Sequence, residues 1–436
     1  MKRFLRRASA ERGVDLESWE FGLRRAVLSS GARLLEELVD GVGSARRDEP
    51  VVCGCGRRMD SHGRQGKRIQ TILGEIGFRR SVFVCPGCGS RRRPGDEALG
   101  VVDTVFSPGL RRLMARAGQR DTFKEGRDDL KEFADVEVTA KEVERVSEGT
   151  GEAVELWHRE ARGLALGGGP PAEAEAGVPL LYISYDGTGV PMVPWETSGR
   201  KGKQEDGTSK TREVKLGCVF TQSRTDEQGF AVRDDASTSF VGAIESSDAF
   251  GERMYAEAKR RGLLGAEKVV VIADGARYNW EIAALHFHGC TEIVDLYHAR
   301  EHLHGLCGLL STKGTKAFHR LELQFRTWLD EGNVEKIIAK SKRLLPDQQE
   351  TRKDAEREIG YFRNNAHRMR YGAFREQGLF VGSGVVEAGC KTVVGKRLKQ
   401  SGMQWTVRGA NAIIALRCLS LSGRIEEFWE ETAAVA

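Results

Sequence analysis

The chain lacks any apolar run long enough to cross a membrane, although 40% of its 436 residues are hydrophobic. No apolar secretory core follows the basic segment 1–7. A strong excess of one charge is also absent, because the net charge is only +5. Internal repeats are not visible. We therefore expect a cytoplasmic protein without a membrane segment, long enough for two or three domains.

Cysteine is well represented, with nine residues, and in a cytosolic chain this number favours metal ligands or buried thiols over disulfides. Two close pairs flank the strand-like stretch 69–84, and two cysteine knuckles joined by a β-hairpin predict a zinc ribbon. The first pair is C-x-C, one residue shorter than the usual C-x-x-C, and His62 is an alternative ligand. A reduced, metal-free cysteine cluster is the alternative. The predicted zinc ligands are Cys53, Cys55, Cys85 and Cys88.

Helical patterns surround this unit. Apolar residues recur at helical spacing in 1–48, which predicts a packed helix pair. Further on, Ser107-Pro108 predicts a helix start, and Thr139 with Glu142 forms a capping box. The stretch 123–146 predicts two short helices joined by a tight turn, as in a helix-turn-helix. We therefore divide the chain into N-terminal helices (1–48), a zinc-ribbon-like unit (49–100), a helix-turn-helix-like region (101–160), a Gly/Pro/Ala-rich linker (161–178) and a catalytic domain (179–436).

The catalytic domain contains three acidic residues at informative positions. Asp186 and Asp274 each follow a short run rich in aliphatic residues, which predicts a buried strand, and Glu387 begins a helix that opens at 382–384. Ligands of such sheets bind beyond the carboxyl ends of the strands. Gathered carboxylates need a cation, and hard oxygen ligands suit Mg²⁺ or Mn²⁺. Two such ions form a clamp for in-line attack on a phosphodiester.

The order of predicted elements indicates an α/β fold. Strands near 213–222 and 229–232 follow the Asp186 strand, and helices and strands then alternate. This order matches a ribonuclease H-like core. A long helical stretch, about 297–375, precedes the Glu387 helix and predicts a helical insertion. The remaining predicted elements are a helix at 248–263, the Asp274 strand, a helix at 280–287 and a strand at 292–296.

The segment 388–425 carries cations and neither Asp nor Glu. A stretch this one-sided beside a metal site suits a phosphate backbone. Trp405 could stack on an unpaired base, but a position in the core is the alternative. The predicted DNA contacts are Lys391, Lys396, Arg397, Lys399, Trp405 and Arg408.

Four motifs in this order resemble the DDE transposases of the ISKra group of insertion sequences, which are similar to Mutator-like transposases. They are Asp186-Gly-Thr-Gly-Val-Pro, Ala273-Asp-Gly-Ala, Asp295-Leu-Tyr-His298 and Gly382-Ser-Gly-Val-Val-Glu387. The resemblance implies a ribonuclease H-like core with a helical insertion, divalent metal ions, and an Asp186–Asp274–Glu387 triad supported by Asp295 and His298. It further implies a nucleoid-associated homo-oligomer that acts on double-stranded DNA, namely the inverted repeats at the ends of an element and a target.

Other functions compete with this interpretation. His298-Ala-Arg-Glu301-His302 matches the H-x-x-E-H pattern of zinc peptidases, in which both histidines share a helix face. A zinc-ribbon regulator that binds DNA without catalysis is a third hypothesis. A dinucleotide fingerprint at Gly382-x-Gly384 is excluded, because its third glycine is replaced by Glu387, which would repel a pyrophosphate.

Overall fold

The computed structural model describes residues 15–44, 50–168, 178–202 and 204–435. Its contacts divide the chain into two compact units, Met1–Glu148 with Glu426–Ala436, and Gly149–Ile425. None of the described helices combines the length and the apolar character that a membrane span requires.

The first unit begins with helix α1, Leu16–Ser44, followed by the hairpin of β1, Asp60–Thr71, and β2, Gly74–Val84. A short strand β3, Arg91–Arg92, pairs with β2, and helix α2, Pro94–Ala98, follows it. Buried Ala32 and Val39 of α1 belong to the same cluster as Ile69, Ile76 and Phe78 of the hairpin. The described part of 1–48 is thus one helix on a sheet, not the predicted helix pair; residues 1–14 and 45–48 lie outside the described residues.

Three helices continue the chain: α3, Pro108–Arg120, α4, Phe123–Ala134, and α5, Ala140–Leu166. Both predicted helix starts are confirmed. Ser107 Oγ accepts a hydrogen bond from the amide of Leu110, and the Thr139 and Glu142 side chains each accept one from the other's amide. The prediction of two short helices is wrong for the second, because α5 has 27 residues and enters the predicted linker. Residues 169–177 of that linker lie outside the described residues.

The second unit contains a five-stranded mixed sheet in the order β10-β9-β4-β5-β8. Its strands are β4, Leu180–Pro191, β5, Thr211–Gln222, β8, Ser239–Ala243, β9, Lys268–Ala273, and β10, Thr291–Val294. Strands β4, β9 and β10 are parallel, whereas β5 is antiparallel to both β4 and β8.

One predicted strand is misplaced. The segment near 229–232 forms β7, Ala231–Val232, which pairs only with β6, Arg224–Thr225, in a separate two-stranded sheet. The third strand of the main sheet is β8, which we did not predict. It has five residues and contains Gly242, so its pattern is too short to stand out.

Helices cover the sheet and extend from it. Helices α6, Pro194–Thr197, α7, Ser247–Arg260, and α8, Arg277–His286, lie between the strands in sequence. The predicted insertion contains α9, Leu296–Leu310, α10, Lys316–Asp330, α11, Val334–Arg343, α12, Gln349–Asn365, and α13, Tyr371–Glu376. The chain ends with α14, Gly384–Gly389, a π-helix, Cys390–Gly395, α15, Lys396–Leu398, α16, Val407–Leu421, and α17, Ile425–Val435. Strands and insertion share one buried apolar core.

Candidate active site

Three carboxylates lie at the same level of three neighbouring parallel strands, Asp186 within β4 and Asp274 and Asp295 directly after β9 and β10. Tyr185 of β4 pairs with Ala273 of β9, so Asp186 and Asp274 come next on adjacent strands. On the other side of β9, the amide of Asp295 donates to the carbonyl of Ala273 at 2.8 Å. Adjacent strands lie about 4.8 Å apart. The sheet therefore gathers Asp186, Asp274 and Asp295 at one edge.

The Asp186 carboxylate is only partly satisfied by protein groups. Its Oδ1 accepts a hydrogen bond from the amide of Gly187 at 2.7 Å, and the thiol of Cys390 contacts the carboxyl group. Burial raises the pKa of Asp186, and the charge of Asp274 adds to this effect, whereas the Gly187 amide and His298 oppose it. A half-buried carboxylate next to another one fits a bound cation.

Asp274 is oriented by its own turn. Its Oδ1 accepts hydrogen bonds from the amide of Ala276 at 2.9 Å and from Nδ2 of Asn279 at 2.5 Å. The glycine that follows is needed for space, because a Cβ on Gly275 would lie 2.1 Å from Cε2 of Tyr361. Burial raises the pKa of Tyr361, and the charge of Asp274 contributes. Oδ1 of Asp274 thus holds the turn, and both hydrogen bonds that the described residues donate to this carboxylate reach that oxygen.

Asp295 connects the third strand to the segment that carries Glu387. It is fully buried and caps α9, where Oδ1 accepts from the amide of His298 at 2.8 Å. Its Oδ2 accepts a hydrogen bond from the amide of Ser383, the residue before α14. Ser383 Oγ lies 3.3 Å from Oε1 of Glu387. One ligand atom each of Asp295, His298 and Glu387 lies within 4.8 Å of the other two.

His298 interacts with three carboxylates of the site, Asp295, Asp274 and Asp186. Its Nδ1 lies 3.3 Å from Oδ1 of Asp295, and this contact raises the pKa of His298 to about 9 against the opposing effect of burial. The charges of Asp274 and Asp186 raise it further. Burial acts to raise the pKa of Asp295, but hydrogen bonds from His298 and Ser383 outweigh it and lower the value. Without a metal, His298 is therefore the cation among these carboxylates at neutral pH.

The structure thus brings the five predicted site residues into one region, but not as one cluster. Glu387 groups with Asp295 and His298, whereas Asp186 and Asp274 belong to no group of three potential ligands within the described residues. Cys390 is a neighbour that we did not predict. It lies three residues after Glu387, so helical spacing was a usable signal. Asn279, five residues after Asp274, had no such signal.

The four predicted zinc cysteines meet in the first unit. The Sγ atoms of Cys53 and Cys88 are 3.4 Å apart, and those of Cys55 and Cys85 are 3.5 Å apart. All four lie within 4.8 Å of one another and none is in a disulfide. Tetrahedral zinc at about 2.3 Å from each sulfur would place sulfurs about 3.8 Å apart. The cluster can therefore hold a structural zinc, and His62 is not part of it.

Each knuckle is closed by a backbone hydrogen bond, which spans three residues in the shorter first knuckle and four in the second. The amide of Gly56 donates to the carbonyl of Cys53 at 2.8 Å, and Gly56 has a φ of +83°, which favours glycine. The second knuckle has the corresponding bond from Gly89 to Cys85 at 2.9 Å. Hydrogen bonding from the Cys55 amide lowers the pKa of Cys53 to about 6, which favours the thiolate that zinc requires.

The basic segment divides into exposed and buried residues. Lys391, Lys396 and Lys399 are exposed, and Nζ of Lys399 donates to Oγ1 of Thr188 at 2.5 Å. Arg408 is exposed but forms an ion pair with Glu152. The three lysines and Arg408 therefore remain accessible candidates for phosphate contact.

Two predicted DNA contacts do not fit that role. Arg397 is fully buried, with its guanidinium 5.0 Å from the ring centre of Trp405. Trp405 is itself 6% exposed, and its Nε1 donates to the carbonyl of Leu398 at 3.1 Å. Both residues pack the interior, because the helical segment folds back over its own apolar side. The core alternative for Trp405 is the one that the structure supports.

The H-x-x-E-H pattern does not assemble a peptidase site. Nδ1 of His302 lies 2.7 Å from Oε2 of Glu358, and its ring stacks on Tyr361 with centroids 3.8 Å apart. His298 is instead paired with Asp295. In the part of the chain that the structure describes, no group of three potential ligands contains both histidines.

Comparison with known proteins gives weak likenesses among solved structures. No protein-family model matches the chain, and no curated protein matches it. Among solved structures, the Drosophila P element transposase strand transfer complex is similar over 58% of this chain and 66% of that chain, with a TM-score of 0.19 and 12% identity. The match spans just under two thirds of that protein's length. Values this low do not bear on fold or activity, so function follows from the residues themselves.

Proposed function

We propose that this protein is an insertion-sequence transposase of the DDE type, related to the ISKra group, that cleaves DNA strands and joins them to a target. The observation that carries the proposal is the alignment of Asp186, within β4, with Asp274 and Asp295, directly after β9 and β10, and the position of Glu387 and His298 beside Asp295. Ligands bind at such strand ends. Carboxylates in this number need a cation, and phosphodiester chemistry is what paired hard cations support.

The proposal includes a ribonuclease H-like fold for residues 179–436. Its support is the strand sequence: three strands joined antiparallel, β4, β5 and β8, and then two strands, β9 and β10, that extend the sheet in parallel with β4. The helices α9 to α13 lie between Asp274 and Glu387, where the resemblance to the transposase group expects a helical insertion.

Magnesium or manganese would be held by the carboxylates. Asp186 and Asp274 would hold one ion, and Glu387 with Asp186 the other. The donor set fits, because Asp186 is half-buried with a raised pKa, and the hydrogen bonds that it accepts from described residues come from the Gly187 amide and the Cys390 thiol, which are uncharged. When bound, such ions lower the pKa of an attacking water and neutralise charge on the phosphate.

The other residues position this set. Asn279 orients Asp274, and Asp295 fixes both the start of α9 and the amide of Ser383, next to Glu387. His298 balances the carboxylates when no ion is present and can then interact with a water or a DNA oxygen. Each of these roles can be tested by substitution.

Double-stranded DNA is the proposed partner, as element ends and as target. Exposed Lys391, Lys396 and Lys399 support contact with its backbone near the carboxylates. The four-cysteine module and the α4–α5 helix pair are the proposed elements for recognising the ends. Action on DNA would place the protein in the cytoplasm, with the nucleoid.

Pairing of two DNA ends requires more than one subunit, and α1 offers a surface for a second copy. Six of its apolar side chains are between 46% and 71% exposed, and five of them form one stripe that Val42 flanks. At about 100° per residue they lie within a sector of about 60°, opposite buried Ala32 and Val39. A seam this narrow is typical of paired helices. The five residues are Leu16, Leu23, Val27, Leu34 and Leu38. Light scattering should show a dimer that Leu23→Glu with Leu34→Glu makes monomeric.

The activity is tested by plasmid nicking. The substrate is a supercoiled plasmid that carries the gene with its flanking DNA, incubated with Mg²⁺, Mn²⁺ or EDTA. Asp186→Asn, Asp274→Asn and Glu387→Gln should each slow nicking by about a thousandfold, since a metal-binding carboxylate contributes several kcal/mol to the reaction. DNA binding in gel shifts should persist. Asp354→Asn, an exposed carboxylate on α12, is the matched control.

Nicking that survives all three substitutions would contradict the proposal. Tight DNA binding by the wild type without nicking under any ion would favour the regulator. Proteolysis of casein that His302→Ala abolishes would favour the peptidase.

A further inference from the structure

A cavity of about 690 Å³ lies in the second unit beside the predicted DNA-contacting lysines. Its walls come from the end of β4, helix α6, the segment that leads into β5, and the loop 399–404. Pockets of a few hundred cubic ångströms are the usual size for small ligands, and this one has room for one nucleotide. No residue of the carboxylate site lines it.

Backbone hydrogen bonds connect the walls of the cavity to each other. The amide of Met192 donates to the carbonyl of Lys210 at 3.0 Å, and the amide of Trp405 donates to the carbonyl of Pro191 at 3.1 Å. The amide of Val193 donates to the carbonyl of Trp405 at 3.0 Å. Backbone bonds thus join three chain segments around the opening. The cavity is therefore formed before any ligand arrives.

The lining combines three kinds of chemistry. Met403 is partly exposed and presents a polarisable thioether, which packs favourably on flat π-systems; its sulfur lies 3.7 Å from Nη1 of Arg397, and neighbouring Met192 is only 3% exposed. Gln404 is exposed and carries an amide that can match the hydrogen-bonding edge of a base, whereas the amide of Gln400 already donates to the carbonyl of Lys396 at 2.9 Å. Lys399 adds a cation for a phosphate. A flat polar ring attached to an anion satisfies all three, and the unit of DNA with those properties is a single unpaired nucleotide.

Lys399 connects the cavity to the carboxylates. Its Nζ donates to Oγ1 of Thr188, which lies two residues after Asp186 and on the same face of β4. Pro191, at the edge of the cavity, is five residues after Asp186, or about 17 Å along the strand. This distance equals about five nucleotides at the rise of a duplex strand, and fewer in an extended strand.

We propose that this cavity binds one nucleotide that has left the base stack, within about five positions of the phosphodiester that reacts at Asp186 and Asp274. The base packs against Met403, the amide of Gln404 contacts its edge, and Lys399 contacts the adjoining phosphate. This inference rests on the proposed function, because it assumes that DNA lies across the carboxylate site.

The test uses 2-aminopurine, whose fluorescence rises when it leaves the base stack. Nicking positions are first mapped on the plasmid, and duplex oligonucleotides then carry the probe at each of the positions on either side of the nick. The full-length Asp186→Asn variant is used so that the bound DNA stays intact. One position should show a several-fold rise in fluorescence, and the double substitution Met403→Ala with Gln404→Ala should remove most of it.

Binding affinity should change less than the fluorescence, because the lysines still contact the backbone. Leu344→Ala with Gln349→Ala, an apolar and amide pair on the insertion, should leave the signal unchanged. A uniform response at all positions, or a rise that survives the Met403/Gln404 change, would overturn the cavity proposal. Nicking without any unstacked position would do the same while leaving the transposase proposal intact, whereas absence of both nicking and DNA binding would remove the transposase proposal itself.

Discussion

The substitution Asp295→Asn tests how the site is held together, because it removes one hydrogen-bond acceptor, and the charge that pairs with His298, from a buried residue without changing its shape. In the wild type, the two oxygens of Asp295 accept from the amides of His298 and Ser383. Asparagine is as good a helix cap as aspartate, so its oxygen can keep the bond to His298. Its NH₂ group then faces the amide of Ser383. Both groups are hydrogen-bond donors, so the Ser383 amide is left without an acceptor.

The magnitude follows from that mismatch. A buried amide left without an acceptor costs about 1–3 kcal/mol. Asp295 is fully buried, so water cannot replace the lost acceptor. We expect the free energy of unfolding to fall by about 2 kcal/mol, and Asp295→Ala to cost more, since it also removes the cap. Because Ser383 adjoins the helix that carries Glu387, nicking should fall in parallel.

Urea unfolding in EDTA, followed by tryptophan fluorescence, measures the change in the free energy of unfolding. If only stability has changed, the dependence of this free energy on urea concentration stays the same. Asp15→Asn is the matched control, because Asp15 accepts from the amide of Ser18 at 3.4 Å but is exposed; its effect should stay within about 0.5 kcal/mol. An Asp295→Asn protein as stable and as active as the wild type would show that the link from Asp295 to Ser383 does not hold the site.

Three further predictions concern metal, charge and pH. Metal analysis should find about one zinc per chain, lost in Cys85→Ser, whereas full zinc in that variant would exclude the four-thiol site. Arg253→Met should lower the free energy of unfolding in urea by about 3–5 kcal/mol, because Glu155 and Glu245 lose their cationic partner. Each is bonded to the buried guanidinium at 2.7–2.9 Å. An effect below about 1 kcal/mol would contradict this. Burial lowers the pKa of His158 to about 4, so its neutral form contributes stability above pH 6.5 that is lost as pH falls toward 4. His158→Gln should flatten the pH dependence of the unfolding midpoint over that range, and an unchanged profile would refute the assignment.

The sequence predicts elements well where one physical pattern dominates. The aliphatic runs before Asp186 and Asp274 are buried strands because β4 and β9 lie in the middle of the mixed sheet, where both faces of a strand are covered. The Thr139–Glu142 pair is local, and it forms as predicted. The β8 strand could not be predicted in this way, because a segment of five residues that includes a glycine shows no clear strand pattern.

Local sequence cannot show which way a side chain points when the chain folds back on itself. Arg397 and Lys399 are neighbours in a basic stretch, yet Arg397 is fully buried over Trp405 and Lys399 is exposed beside Thr188. The grouping of Glu387 with Asp295 and His298 was also not predictable. It depends on a bond between Asp295 and Ser383, 88 residues apart. Tertiary contacts of this kind produce no characteristic spacing of residues from which they could be predicted.

Glu387 reaches the other carboxylates from a helix and not from a strand. On the β5 side of Asp186 the neighbouring strand is antiparallel, and its Glu213 lies close to Gly187 but is paired with Lys215. Asp274 and Asp295 stand on the β9 and β10 side. Glu387, whose carboxylate groups with Asp295 and His298, is carried to them by a segment lying on the face of the sheet. Helix α14 does this, with Gly389 close to Leu216 and Phe240, and the bond from Ser383 to Asp295 ties its start to the opposite end of the carboxylate row.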